Sequence, residues 1–278
     1  MNKAKQIALA REMLEFSRAI PPSMGFGWVL EMDYLTHFEA ERLMTMRELI
    51  ASQGFSPDRA FDVLDIGYLH GIVPEFLHRE FPLAKFIVID HPDSPVFRNG
   101  DYQKLISSRQ YLQLVSCNIG EAQRLNRKFN LIIMGELIEH LDPTFAIESI
   151  VKLTALLHEG GRLVITTPNA NGIANLYAQL RGGDAAHPVI PDATMNWPHI
   201  HLWSPTLLQR TLGHHGLKME CLRFNNGFEA QRFAQMNRKP SGFLRQIPHR
   251  ALWHLSRAVP RLRGYFVAVF SKEAGGLL

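Results

Sequence analysis

Residues 61–71, FDVLDIGYLHG, run an apolar stretch straight into a glycine turn, and this stretch decides the fold. Phe61, Val63, Leu64 and Ile66 leave little room for a solvent face, as in a strand buried on both sides of a parallel sheet. Gly67 and Gly71 allow the backbone to turn tightly and to approach a ligand, and a helix near Ile72–Arg79 then presents unpaired N–H groups to it. Asp65 stands two residues ahead of the first glycine. A nicotinamide fingerprint would need G-x-G-x-x-G, but Leu69 and Ile72 occupy its second and third glycine positions, so NAD is disfavoured.

Outward from this turn, short apolar runs alternate with helical patterns. FIVID, a helix near Gln103–Ser107, LQLVS, FNLIIM, a helix near Thr144–Leu157 and RLVITT follow in order, with Gly160 and Gly161 expected to end the longest helix. Such alternation predicts an α/β protein with a Rossmann-like, doubly wound parallel sheet. Two further strands are expected at LKMECLRF and YFVAVFS. Upstream, helical patterns at Ala4–Ala19 and Asp33–Gln53 flank the turn-rich PPSMGFG of Pro21–Gly27. The organisation read from this is an N-terminal helical cap over 1–58, a core over 59–226 and 264–273, and a basic helical insertion over 227–263.

The composition is that of an ordinary globular chain: 278 residues, 46% hydrophobic and 20% charged, enough to bury a full core. Cys117 and Cys221 are far apart and lack CxxC spacing, which argues against a disulfide framework or zinc knuckle and suits a reducing compartment. The first residues carry charges inside their apolar pattern and read as an amphipathic helix, not a secretory signal. No apolar run is long enough to span a bilayer. The expectation is a cytoplasmic protein, able to sit at a membrane periphery. The net charge of +4 is unevenly spread, because residues 223–263 hold nine Lys/Arg against the single acid Glu229. Such a segment attracts anions or is simply solvated.

The second informative stretch is FNLIIMGELIEH. At helical spacing, Glu136, Glu139 and His140 would share one face of a first turn directly after a strand. Downstream, HIHLWSP adds His199 and His201. Oxygen and nitrogen donors of this kind suit a hard or borderline divalent cation. The plain alternative is that the glutamates charge-cap a helix start and His140 packs.

Taken in succession, DIGYLHG, FIVID, GELIEHLDP, HEGGRLVITTPN and the HIHLWSP segment resemble the class I S-adenosylmethionine-dependent methyltransferases, whose loop usually reads D-x-G-x-G-x-G. The resemblance covers about residues 60–225 and the strand near Tyr265–Ser271. It implies a seven-stranded sheet of order 3-2-1-4-5-7-6 with the last strand antiparallel. It implies S-adenosylmethionine held by Asp65, Gly67, Tyr68, Gly71, Asp90, Asn118, Ile119 and Gly135, with Asp90 facing the ribose diol and the Asn118 amide oxygen facing adenine. Leu69 departs from the family's glycine, and Asn118 and Asn130 replace frequent aspartates. The E-x-x-E-H spacing followed by a distant histidine looks like the metal site of ubiquinone-pathway and small-RNA 2′-O-methyltransferases. On that likeness Glu136, Glu139, His140 and His201 would hold magnesium or manganese, with His199 as the competing histidine and Glu136, His140 and His201 as catalytic groups.

The function implied is O-methylation of a small-molecule, sugar or lipid-linked acceptor. A non-catalytic binding protein of the same fold and an RNA-end 2′-O-methyltransferase stand as alternatives. Within the insertion, Leu244, Ile247, Ala251, Leu252, Leu255 and Val259 recur at helical spacing, with Pro248 near a plausible start. Arg245, Arg250, Arg257, Arg261 and Arg263 decorate it, so residues 243–263 are a candidate anionic contact or simply an amphipathic helix packed on the sheet. Trp197, Trp203, Tyr68, Phe243 and Trp253 are candidate aromatic contacts or core. No nucleic-acid-binding module accompanies the charge, and the oligomeric state is left open.

Overall fold

A computed structural model of the chain describes residues 3–20, 32, 35–68, 70–180, 182, 199–227, 230, 233 and 243–273. Seven strands form one sheet of order β3-β2-β1-β4-β5-β7-β6, as expected. They are β1 (Phe61–Ile66), β2 (Ala84–Asp90), β3 (Leu112–Ser116), β4 (Phe129–Gly135), β5 (Leu157–Pro168), β6 (Leu217–Asn225) and β7 (Tyr265–Lys272). The first five pair in parallel, and β7 runs antiparallel between β5 and β6.

The period-two alternation of each strand divides the core into two layers. Val63, Val88, Ile133 and Val164 point to one side. There they meet Ala10 and Met13 of α1 (Lys3–Arg18), Leu43, Met46 and Ile50 of α2 (Ala40–Ser52), and Phe76 and Leu77 of α3 (Ile72–Glu80). The two N-terminal helices therefore complete the covering of one sheet face. Leu64, Ile89, Met134, Ile165 and Phe266 point to the other side and pack on Ile150 and Leu153 of α5 (Pro143–Thr154) and on Leu208 of α7 (Pro205–Gly213). Helix α4 (Gly100–Ser107) precedes β3, and α6 (Ile173–Leu180) and α8 (Phe243–Ala258) lie beyond the ends of β5 and β6.

Three boundaries differ from the sequence reading. Gly160 and Gly161 do not end a helix: α5 stops at Thr154, and both glycines lie inside β5. Phe129 pairs with Leu157 before the register shifts, and Gly160, at φ +73°, takes the left-handed turn of that irregularity. Pro248 does not open its helix, which begins at Phe243. The residues Glu136–His140 are not a first α-helical turn. Glu136 follows β4 with φ +51°, Ile138–His140 make a single 3₁₀ turn, and α5 starts only at Pro143, with the Asp142 carboxylate accepting the N–H groups of Thr144 and Phe145. Proline at the first helical position and an aspartate cap before it set that start.

Candidate active site

The site forms where β1, β4 and β5 end side by side. In register, Ile66 of β1 lies beside Met134 of β4, and Gly135 beside Thr166 of β5, so the Gly67 turn and Glu136 leave the sheet on neighbouring strands. Gly67 has φ +85°, donates its N–H to the Ile89 carbonyl at 2.8 Å, and meets none of the described residues where a Cβ would stand. Gly71 has φ +70°, and a Cβ there would lie 2.4 Å from the Tyr68 ring. Leu69 is outside the described residues.

Asp65 is buried at the end of β1, and its Oδ2 has no hydrogen-bond partner among the described residues. Loss of water pushes its carboxyl up to about 8; Arg42 opposes this and Asp90 adds to it. At the end of β2, Asp90 Oδ2 accepts the Tyr68 N–H at 3.0 Å and Oδ1 accepts the His91 N–H at 2.7 Å. A carboxylate has further lone pairs for a diol. Two expected cofactor contacts are placed otherwise by their side chains. The Tyr68 ring is buried 5.8 Å from the Tyr102 ring, leaving its main chain at the turn, and Ile119 packs into the core beside α5. The Asn118 oxygen accepts the Gly120 N–H at 3.0 Å as a helix cap. Asn130, the other departure from the family pattern, uses its oxygen to accept the Asp62 N–H at 2.9 Å and thereby ties β4 to β1.

A buried ionic group not foreseen from the sequence joins these loops. Arg42 donates to Glu39 Oε2 through Nη2 at 2.6 Å and Nε at 3.2 Å, and through Nη1 to the Thr166 hydroxyl at 3.4 Å. A Cβ on Gly135 would lie 3.1 Å from Arg42 Nη1, so the glycine lets the guanidinium reach the strand end. His70 Nε2 lies 3.8 Å from Glu39 Oε1, while Nδ1 accepts the Ile72 N–H at 3.3 Å. Burial lowers His70 to about 4, which keeps it neutral. The sequence signal was a charged pair on an apolar stripe: Glu39, the residue just before α2, and Arg42 within it are buried together with Leu43, Met46 and Ile50.

Glu136 sits beside this group, accepting the Thr166 hydroxyl at 2.7 Å and donating its N–H to the Thr166 carbonyl at 2.9 Å. Glu139 is fully buried; Oε2 accepts the Thr167 hydroxyl at 2.9 Å, and Oε1 has no hydrogen-bond partner among the described residues. Burial raises both carboxyls; Glu136 raises Glu139 further, while Arg42 opposes the rise of Glu136 and Glu39 adds to it. The Glu139 carbonyl accepts N–H groups from Ile200 at 2.7 Å and His201 at 3.2 Å. This clamp brings the His199 ring to 4.9 Å from the His140 ring.

One ligand atom from each of Glu139, His140 and His199 lies within 4.8 Å of the others. Of the two histidines in HIH, the structure therefore gathers His199. His201 stacks edge-on against Trp203 at 4.7 Å, and Glu136 stands with Thr166 and Arg42. Neither belongs to that donor group. Trp197 is outside the described residues, and Trp203 is core.

A profile of the family described as "Methyltransferase domain" matches residues 30–222. The chain belongs to this family. As a methyltransferase-domain protein of the class I fold, it is an S-adenosylmethionine-dependent methyltransferase. Solved structures share the fold at low identity. Magnesium protoporphyrin IX methyltransferase from Synechocystis, with bound SAH, is 11% identical, with TM-score 0.55, covering 87% of this chain and 86% of that one. The CcbJ methyltransferase from Streptomyces caelestis is 13% identical, with TM-score 0.54, covering 84% and 90%. The [4+2]-cyclase SpnF is 14% identical, with TM-score 0.52, covering 85% and 82%. No curated protein matches the sequence.

Proposed function

We propose that this methyltransferase transfers a methyl group to a hydroxyl of a small-molecule or lipid-linked acceptor. The observation carrying this reading is the pairing of the Gly67 turn, beside which Asp65 Oδ2 has no hydrogen-bond partner among the described residues, with the Glu139, His140 and His199 donors one strand away. Four carboxylates, on Glu39, Asp65, Glu136 and Glu139, surround the single guanidinium of Arg42. Such a site is short of positive charge, and S-adenosylmethionine carries an ammonium and a sulfonium. The Asp65 carboxylate fits the ammonium, Arg42 the methionine carboxylate, and Asp90 the ribose diol. When bound, S-adenosylmethionine supplies an electrophilic methyl group.

Glu139, His140 and His199 also fit a divalent cation: two imidazoles and a carboxylate oxygen with no hydrogen-bond partner among the described residues suit magnesium, manganese or a similar ion. Such an ion would lower the pKa of an acceptor hydroxyl. The protein's own part is to fix the donors. Thr167 holds the Glu139 carboxylate, and the Glu139 carbonyl holds residues 199–201 in place. His199 is lowered to about 4 by burial and then by His140, so it stays neutral and its lone pair stays available. His201, outside the donor group and lowered by burial, would be the base that accepts the hydroxyl proton.

Calorimetry on the metal-stripped protein tests both halves. S-adenosylmethionine should bind wild type and His199→Ala alike, and should bind Asp65→Ala at least tenfold more weakly. Manganese, followed by its paramagnetic resonance, should bind wild type and be lost in Glu139→Ala and His199→Ala. Unchanged manganese binding in both variants would remove the cation site while leaving the methyl-donor site standing.

A further inference from the structure

Among the described residues, six large apolar side chains are exposed, and three of them belong to segments beyond the ends of β5 and β6: Leu180 at 86%, Leu255 at 43% and Val259 at 39%. Leu180 ends α6, which packs against α8, where Leu255 lies; Val259 follows α8 directly. Along α8, the exposed Ala251, Leu255 and Ala258 recur at four- and three-residue spacing, so they form one solvent-facing stripe that Val259 extends. Arg257 and Arg261 are exposed beside it, and Arg257 lies 5.7 Å over the half-buried Trp253 ring. Residues 230–263 contain no Asp or Glu, so nothing along the segment neutralises these cations.

We propose that this face of α8, with the turn that follows it, docks onto an anionic lipid bilayer. Guanidinium groups beside exposed aliphatic side chains match a surface that offers phosphates and acyl chains together. A nucleic acid would pair the arginines but leave the leucine stripe in water. Among the described residues no helix is long and apolar enough to cross a membrane, so the contact is with the surface. Its position gives it a consequence. The Asn169 side chain, at the end of β5, donates to the carbonyls of Arg261 at 3.0 Å and Arg263 at 2.8 Å. Thr166 and Thr167, three and two residues earlier on the same strand, hold Glu136 and Glu139. The docking face and the proposed reaction centre therefore share one strand end, which would present the site to a lipid-dissolved acceptor.

Co-sedimentation of the full chain with phosphatidylcholine vesicles, with and without phosphatidylglycerol, tests the proposal. Binding is expected only to vesicles containing phosphatidylglycerol, and high salt should release it. Each cation near such a surface is worth about fivefold in partitioning, so Arg257→Gln with Arg261→Gln should lose about twenty-fivefold. Leu255→Ser with Val259→Ser should weaken binding as well, and both variants should still bind S-adenosylmethionine by calorimetry, which shows that they are folded. Absence of wild-type sedimentation with anionic vesicles would overturn the proposal. So would equal sedimentation of the arginine variant and wild type, or an RNA mobility shift lost with the arginines and indifferent to Leu255 and Val259.

Discussion

Asp65 and His70 lie five residues apart in one turn, and burial acts on them with opposite sign. Asp65 titrates near 8 in the folded protein against an ordinary 3.8, so the folded state holds its proton more tightly than the unfolded chain. Its contribution to stability is full below about pH 4 and falls as pH rises towards 8, by about 1.4 kcal/mol per pH unit in that window. His70 titrates near 4 against 6.5, so its contribution is full above 6.5 and falls as pH drops towards 4. Between these values the two slopes oppose each other. Glu136, Glu139 and His199 add slopes of their own, which wild type and an Asp65 variant share. The stability of Asp65→Asn relative to wild type should therefore rise between about pH 4 and pH 8, by about 1.4 kcal/mol per pH unit. Urea unfolding of both proteins at four pH values would check that difference. The glycines of the same turn separate space from backbone strain. Gly67→Ala meets only an unfavourable φ, costing about 1–2 kcal/mol, whereas Gly71→Ala meets that φ and the Tyr68 ring, and should cost about 3 kcal/mol or more. Gly67→Ala should still weaken S-adenosylmethionine binding, because its methyl enters the open side of the turn.

At the scale of the element, α2 shows both what the pattern revealed and what it hid. Its apolar stripe was legible and put the helix on the sheet, but the same stripe carries Glu39 and Arg42, which a hydrophobic reading passes over. Their reason lies on strands β4 and β5, about a hundred residues away, and no local spacing records it. The GELIEH stretch was misread for the opposite cause. Its spacing looked helical, yet Asp142-Pro143 is the stronger local signal and delays the helix, leaving Glu136 free to turn back to Thr166. The buried pair predicts a separation of roles. Arg42→Met should take the guanidinium away from the buried Glu39 carboxylate and cost about 3–5 kcal/mol of stability, and adding Glu39→Leu should recover most of that. The double variant should still bind S-adenosylmethionine at least tenfold more weakly than wild type, if Arg42 holds the donor's carboxylate. Thermal unfolding and calorimetry on the two variants give the two readouts.

For the molecule as a whole, the sheet order follows from alternation and glycine turns, so it was legible; which loop meets which beyond the strand ends was not. Asn169 shows why. It is buried one residue after β5, and besides donating to Arg261 and Arg263 it donates its own N–H to the Gly264 carbonyl at 2.8 Å. Its side-chain oxygen accepts the Asn171 N–H at 3.0 Å, and its backbone bridges to Trp203. Asn169 thus joins the end of β5 to the turn behind α8 through its side chain, and to the segment carrying His199 and His201 through its backbone. Asn169→Ala would strand two carbonyls, each worth about 1–3 kcal/mol when buried without a partner, so the melting temperature should fall by several degrees. The S-adenosylmethionine contacts at β1 and β2 do not pass through it. Donor affinity measured by calorimetry should therefore stay within about twofold of wild type, while manganese binding at Glu139, His140 and His199 should weaken as the segment holding His199 loosens. Loss of donor affinity equal to the loss of metal affinity would mean that the two halves of the site are one cooperative unit, contrary to the separate strand ends from which they are built.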